Sequence, residues 1–161
     1  MLSFRLNTLN NFLWIGCLSL VCFACVSVNT KHKPINETVF RGPMDNVWMA
    51  AEKALANYPI SESNRDSGVL RTDFLRGSQC WQSPNQNEKY SAGVRCSLSL
   101  QLIKLPHNGG IKVRVNRNLQ LIRDFISEPE NIFNDGMEEV NILYRIDREL
   151  SIEKEITAAN H

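Results

Sequence analysis

The stretch YSAGVRCSLSLQLIKLPHNGGIKVRVNRNLQLI, residues 90–122, decides the fold of this chain. Apolar and polar residues alternate on both sides of the turn-forming sequence PHNGG at residues 106–110. A period of two puts alternate side chains on opposite faces of a strand, and a Gly-rich connection joins two such strands into an antiparallel hairpin. We predict a long hairpin with one buried face and one wet face. Arg117 interrupts the inward set and is expected at a rim.

Helical patterns flank this hairpin. After a β-prone stretch at residues 38–41, Pro43 suits the first turn of a helix that Pro59 ends. Short strands are expected at residues 60–62 and 69–75. A second helix is predicted over residues 137–157, and its apolar stripe is assigned to Val140, Leu143, Tyr144, Ile146 and Leu150.

This order of elements predicts one α+β domain over residues 38–157, followed by a short tail at residues 158–161. We expect a single antiparallel sheet of about four to five strands with two helices packed on one face. The other sheet face is expected to stay exposed to solvent.

The N-terminus has the pattern of an export signal. Residues 12–24, FLWIGCLSLVCFA, follow a short polar start that carries Arg5. This apolar run is long enough for the hydrophobic core of a signal peptide. It is shorter than the roughly 20 residues that a helix needs to span a bilayer. The sequence VCFAC at residues 21–25 resembles the lipobox of bacterial lipoproteins. The resemblance implies that residues 1–24 are removed and that Cys25 carries fatty acyl chains, which hold the protein on a membrane.

Residues 25–37 would then tether the domain to that membrane. Val26, in place of Asp, follows the cysteine. By resemblance to enterobacterial lipoproteins, this implies the periplasmic face of the outer membrane. A cleaved signal without lipid and an uncleaved anchor helix are the alternatives.

Only two of the five cysteines lie beyond this segment, Cys80 and Cys96. A pair of cysteines in an oxidising compartment predicts one disulfide, and two free thiols are the alternative. Their spacing, with three scattered histidines, matches no zinc site, so no metal is expected.

Charges are segregated along the chain. Seven basic residues and no acid occur from Lys89 to Arg123, whereas ten acids and three bases occur from Asp124 to Glu155. The alternation puts Arg95, Lys112 and Arg114 on the wet sheet face. Two interpretations stay open: a solvated face that discourages edge aggregation, or a docking face for anionic lipid, an anionic envelope polymer or an acidic protein. Location argues against nucleic acid.

Trp81 also leaves two possibilities, because it lies in a polar loop beside Cys80. It either packs on the disulfide or serves as an exposed anchor for the same partner.

No motif for catalysis or cofactor binding occurs in the sequence. We therefore expect no enzyme, no catalytic residue and no cofactor. Glu138 and Glu139 are expected to be solvated at the start of the second helix.

Part of the folded region resembles the helix-grip domains of BamC-like lipoproteins. The resemblance rests on Phe40, Val47-Trp48, Tyr58-Pro59-Ile60 and residues 66–72, DSGVLRT. It implies a non-catalytic accessory of outer-membrane assembly. Residues 143–150, LYRIDREL, resemble a signature of small envelope lipoproteins. The expected function is a membrane-anchored binding or assembly module, with a structural envelope protein that binds peptidoglycan or anionic lipid as the alternative. An enzyme of unknown type is a distant third.

Overall fold

The computed structural model describes residues 36–84, 86, 89–124 and 126–159. The predicted signal at residues 1–24, the lipid site Cys25 and nearly all of the predicted tether lie outside these residues. The described part contains one sheet and two α-helices, in the order β1 (Glu37–Phe40), α1 (Met44–Ala54), β2 (Ile60–Asn64), β3 (Val69–Thr72), β4 (Leu75–Arg76), β5 (Val94–Lys104), β6 (Ile111–Leu121), β7 (Glu130–Asn131) and α2 (Met137–Ala159). The predicted fold class, α+β with two helices on one antiparallel sheet, is confirmed.

The hairpin of β5 and β6 forms the centre of the sheet. The strand order is β1-β6-β5-β3-β2, and the short strands β4 and β7 pair with β5 and β6. The two central strands pair over their full length, from Val94 opposite Leu121 to Lys104 opposite Ile111. Gly110 has φ +92°, and a Cβ there would lie 2.5 Å from the Phe40 carbonyl oxygen. Glycine therefore lets β1 approach the end of the hairpin closely.

Both helices pack on the inner face of the sheet. Val47, Trp48 and Ala51 of α1 are buried as their spacing predicts. With residues of β1, β3, β5, β6 and α2 they form what we call the helix-side cluster. Because one face of the sheet and one side of each helix are apolar, this arrangement removes both from water.

The buried side of α2 differs from the predicted stripe. Ile142, Leu143 and Ile146 are buried, whereas Val140 is 45% exposed and Tyr144 is 64% exposed. Val140 and Tyr144 lie two residues on either side of Ile142, which is about 200° around a helix at 3.6 residues per turn. The assignment of these two residues to the core was wrong, because α2 has apolar residues on two sides and the sequence does not say which side meets the sheet.

A second group of apolar residues fills the other end of the inner face. This disulfide cluster consists of buried Cys80, Val94, Cys96 and Leu119, with Leu75, Tyr90, Leu121 and Ile132 packed against it. The predicted bond between Cys80 and Cys96 is present, with Cα atoms 5.8 Å apart. It fixes the loop after β4 over the end of the hairpin that the helices leave uncovered.

The segment after β6 contains more structure than its sequence predicts. Its sequence has no periodic pattern, yet Glu130 and Asn131 form β7 against Leu121 and Gln120. Neither helix of the described part is long and apolar enough to cross a membrane.

Candidate functional site

Arg117 and Glu138 form a buried ion pair on the inner face of the sheet. Arg117 Nε and Glu138 Oε2 are 2.6 Å apart, and the side chains are 2% and 1% exposed. Arg117 lies opposite Leu98 on β5, between the helix-side cluster and the disulfide cluster. The expectation that Arg117 lies at a rim was wrong. The side chain keeps its place in the inward alternation, because the first turn of α2 supplies a carboxylate there.

Neighbouring groups form hydrogen bonds with both members of this ion pair. The Tyr58 hydroxyl donates to Glu138 Oε1 at 2.7 Å, and Arg117 Nη2 donates to the Trp81 carbonyl oxygen at 2.6 Å. The guanidinium also lies 5.8 Å from the centre of the Tyr90 ring. Arg117 Nε and Glu138 Oε2 touch without the alignment of a hydrogen bond. Their attraction is therefore mainly electrostatic, and the two aligned bonds to neutral groups supply the directional contacts that a buried charge needs.

Glu139 closes a gap in the edge of the sheet. β1 pairs with β6 as far as Arg114, and β7 pairs with it only from Gln120. Between them, the Arg117 amide donates to Glu139 Oε1 at 3.3 Å, and Asn134 Nδ2 donates to the same oxygen. Glu139 is buried, so its expected solvation was wrong, as was that of Glu138. The carboxylate takes the place of a neighbouring strand at this point.

The titration of the buried groups follows from their surroundings. Burial raises the pKa of Glu138, although the nearby Arg117 charge and the Tyr58 hydrogen bond oppose the shift. Burial, followed by the Glu138 charge, raises the pKa of the Tyr58 hydroxyl. Since Glu138 is enclosed, we assign this network to holding the start of α2 against the hairpin.

The predicted docking cations share the outer sheet face, but each has a different environment. Arg95 stacks over the Phe74 ring at 4.4 Å and donates from Nε to Gln120. Arg114 forms an ion pair with Glu37 at 2.8 Å. Lys112 makes no ion pair within the described ranges.

These cations also lie far apart along the hairpin. Lys112 is opposite Ile103, eight residues along β5 from Arg95, a distance of about 27 Å at 3.4 Å per residue. Trp81 does not join them, because it follows Cys80 on the inner side, where its carbonyl accepts from Arg117. The structure therefore brings Lys112 and Arg114 together and separates them from Arg95 and Trp81.

The middle of the outer face is a groove of about 290 Å³. Ser97 and Ser99 of β5 lie opposite Asn118 and Asn116 of β6. We call this the polar groove. Of its uncharged polar side chains, Asn116, Asn118 and Asn131 are exposed, and Ser97, Ser99 and Asn134 are half-buried. Arg117, Leu119 and Ile132 also border it. Apart from Arg117, whose charge is paired with Glu138, its polar side chains are amides and hydroxyls without formal charge.

A second hollow lies on the other side of residues 131–135. Phe133 and Asp135 line it together with Tyr90, Ser83 and Gln86, and its volume is about 330 Å³. Phe133 is 87% exposed. This aromatic hollow and the polar groove share the segment between β7 and α2, which gives alternate residues to each. The sequence did not indicate these residues, because the segment has no periodic pattern from which the direction of its side chains follows.

The described residues contain no group of three His, Cys, Asp or Glu side chains that could hold a metal ion. In comparisons with known proteins, no family model matches the chain and no curated protein is similar to it.

Proposed function

We propose that the chain is a lipid-anchored envelope protein, attached through Cys25 to the periplasmic face of the outer membrane. Its α+β domain acts as a non-enzymatic binding module. The observation that carries the proposal is the outer face of the sheet: both helices pack on the inner face, and the outer face holds a groove lined by hydrogen-bonding side chains. Strands fixed on both sides present such groups at little entropic cost, which suits binding.

The buried charges support a binding role over a catalytic one. General acid–base catalysis needs a titratable group within hydrogen-bond reach of a substrate. The groups whose pKa values are raised are Tyr58 and Glu138. Glu138 is enclosed where the first turn of α2 meets the sheet, and Tyr58 already donates a hydrogen bond to it.

A basic docking face for anionic lipid or an anionic polymer is the second candidate. Lys112 supports it, since this lysine makes no ion pair within the described part of the chain. The contacts of Arg114 with Glu37 and of Arg95 with Phe74 and Gln120 weaken it, because groups that already have partners gain less from an anion.

Mass spectrometry of the protein from membranes tests the anchor. We expect a mature chain that begins at an acylated Cys25, and a Cys25→Ala variant that is released from the membrane fraction. An intact chain that begins at Met1, has no acyl mass and is recovered from the cytosol would overturn the proposed location.

Pull-down from detergent-solubilised membranes tests the binding role, and we expect a stoichiometric envelope partner. For the second candidate, binding should weaken with salt and with Arg95→Glu, Lys112→Glu and Arg114→Glu together. A partner whose binding is unaffected by added salt and by the three substitutions would exclude the basic docking face.

A further inference from the structure

We propose that the polar groove binds the glycan strand of the cell wall, a neutral chain of N-acetylated sugars. This inference rests on the proposed function, because the envelope location brings the domain into contact with that polymer. It adds to that function the chemical class of the ligand and the residues that recognise it.

Charge is the first argument. The side chains that the groove offers to a ligand are those of Ser97, Ser99 and the four asparagines, and none of them carries a formal charge. A phosphate or carboxylate ligand is normally held by Arg or Lys. The basic side chains that flank the groove on this face are Arg95, two residues before Ser97, and Arg114, two residues before Asn116. Arg95 already donates to Gln120, and Arg114 already pairs with Glu37. The groove therefore favours an uncharged ligand.

The hydrogen-bonding capacity of the groove is the second argument. Ser97, Ser99 and Asn118 make no side-chain hydrogen bond within the described residues. Asn116 and Asn131 use their oxygens to accept from Asn36 and Gln120, which leaves their NH₂ groups available. Hydroxyls and amides of this kind both donate and accept. Sugar hydroxyls and acetamido groups offer the same mixture, so each side can satisfy the other.

The position of Phe133 is the third argument. Its ring is almost fully exposed and lines the aromatic hollow with Tyr90, across residues 131–135 from the groove. Aromatic rings contribute strongly to the energetics of interfaces. A sugar ring has an apolar face of C–H groups that can lie on such a ring. A strand that crosses residues 131–135 would thus meet hydrogen-bonding groups and then an aromatic face.

An extended peptide fits the same surface less well. Peptides often bind by adding a strand to an open sheet edge. At the gap between β1 and β7, the Arg117 amide is already bonded to Glu139. This edge position is therefore closed to strand addition.

Titration of the full chain in detergent with a tetramer of N-acetylglucosamine tests the proposal. We expect saturable shifts of the Asn116 and Asn118 side-chain amide signals in ¹⁵N-edited spectra. Asn118→Ala and Phe133→Ala should each weaken binding about tenfold, which corresponds to about 1.4 kcal/mol. The matched controls are Asn141→Ala and Tyr144→Ala, since both residues lie on α2, away from the groove. Far-UV circular dichroism confirms the fold of each variant.

Several results would overturn the inference. They are no saturable shift with the tetramer, equal losses in the control variants, or binding only to lipopolysaccharide or to free stem peptides. If the protein is acylated and captures an envelope partner but does not bind the tetramer, the glycan site is refuted and the proposed function stands. An unacylated cytosolic protein that binds the tetramer through Asn118 would refute the proposed function and leave the groove as a sugar site.

Discussion

At the scale of single residues, Arg117 shows where the sequence pattern was insufficient. A charged residue at an inward position of a strand is rarely fully buried unless it is paired. Its partners here are Glu138, at the start of α2, and the Trp81 carbonyl, in the disulfide loop. Both are distant in sequence, so only the tertiary structure could identify them.

Arg117→Met should lower the free energy of unfolding by about 3–5 kcal/mol, because it leaves the Glu138 carboxylate buried without its partner. Urea unfolding measures the loss. Arg71→Met is the matched control: Arg71 pairs with Glu62 at 2.9 Å, but the side chains are 58% and 42% exposed. An exposed pair of this kind contributes about 0–1 kcal/mol. Equal losses in the two variants would contradict the assignment of a structural role to the buried pair.

The free energy of unfolding of Arg117→Met should also depend on pH. Without Arg117, only the Tyr58 hydrogen bond still opposes the burial that raises the pKa of Glu138, so that pKa moves further above its unfolded value. The folded state then binds more protons than the unfolded state, and stability increases as the pH falls through the folded pKa. We expect Arg117→Met to recover part of its lost stability as the pH is lowered from neutral.

The control for this effect is Arg117→Met combined with Glu138→Gln. Its unfolding free energy should not show the recovery, because the titrating group is gone. A recovery of the same size in both variants would assign the effect to other groups.

At the scale of elements, the disulfide loop and α2 divide the inner face of the hairpin between them. α2 and α1 cover the end that contains Leu100 and Val115, and the loop covers the end that contains Cys96 and Leu119. The alternation of β5 and β6 predicted that both ends are buried. It could not predict which element covers each of them.

Reduction of the Cys80–Cys96 bond should lower the free energy of unfolding by about 3 kcal/mol, the entropic contribution of closing a loop of about 15 residues. Chemical denaturation with and without a dithiol measures the change. A Cys80→Ala/Cys96→Ala variant should not respond to the dithiol. On unreduced, denatured protein, thiol labelling at either cysteine would contradict the bond.

Substitutions along α2 test which side it buries. Ile142→Ala should cost about 2–5 kcal/mol, since Ile142 is fully buried in the helix-side cluster. Val140→Ala should change stability by no more than about 0.5 kcal/mol, as expected for a surface position. Thermal unfolding measures the loss of stability in each variant. A larger loss for Val140→Ala than for Ile142→Ala would favour the apolar stripe predicted from the sequence.

At the scale of the whole molecule, the two apolar clusters share the same two strands. The pair of Arg117 and Glu138 lies between them, and Arg123 pairs with Glu130 at 2.7 Å just beyond. The basic hairpin is thus partly neutralised by the acidic segment that follows it in sequence.

Because the clusters share β5 and β6, we expect the domain to unfold in one cooperative transition. Far-UV circular dichroism follows the helices on one cluster. Fluorescence of Trp81, in a variant with Trp14→Phe and Trp48→Phe, follows the other. The two urea midpoints should coincide in the oxidised protein. Separate midpoints would show that the disulfide cluster unfolds independently.

The sequence by itself determined the hairpin, the α+β class and the outward position of Arg95, Lys112 and Arg114, and it favoured the disulfide over two free thiols. The first three follow from a local period, which physical chemistry converts directly into geometry, and the disulfide follows from the even pair of cysteines in an expected oxidising compartment. Only the tertiary structure decided the burial of Arg117, the side of α2 that meets the sheet, and the groove formed with Asn131 and Asn134. These features depend on groups far apart in the chain, whose contacts no local pattern specifies.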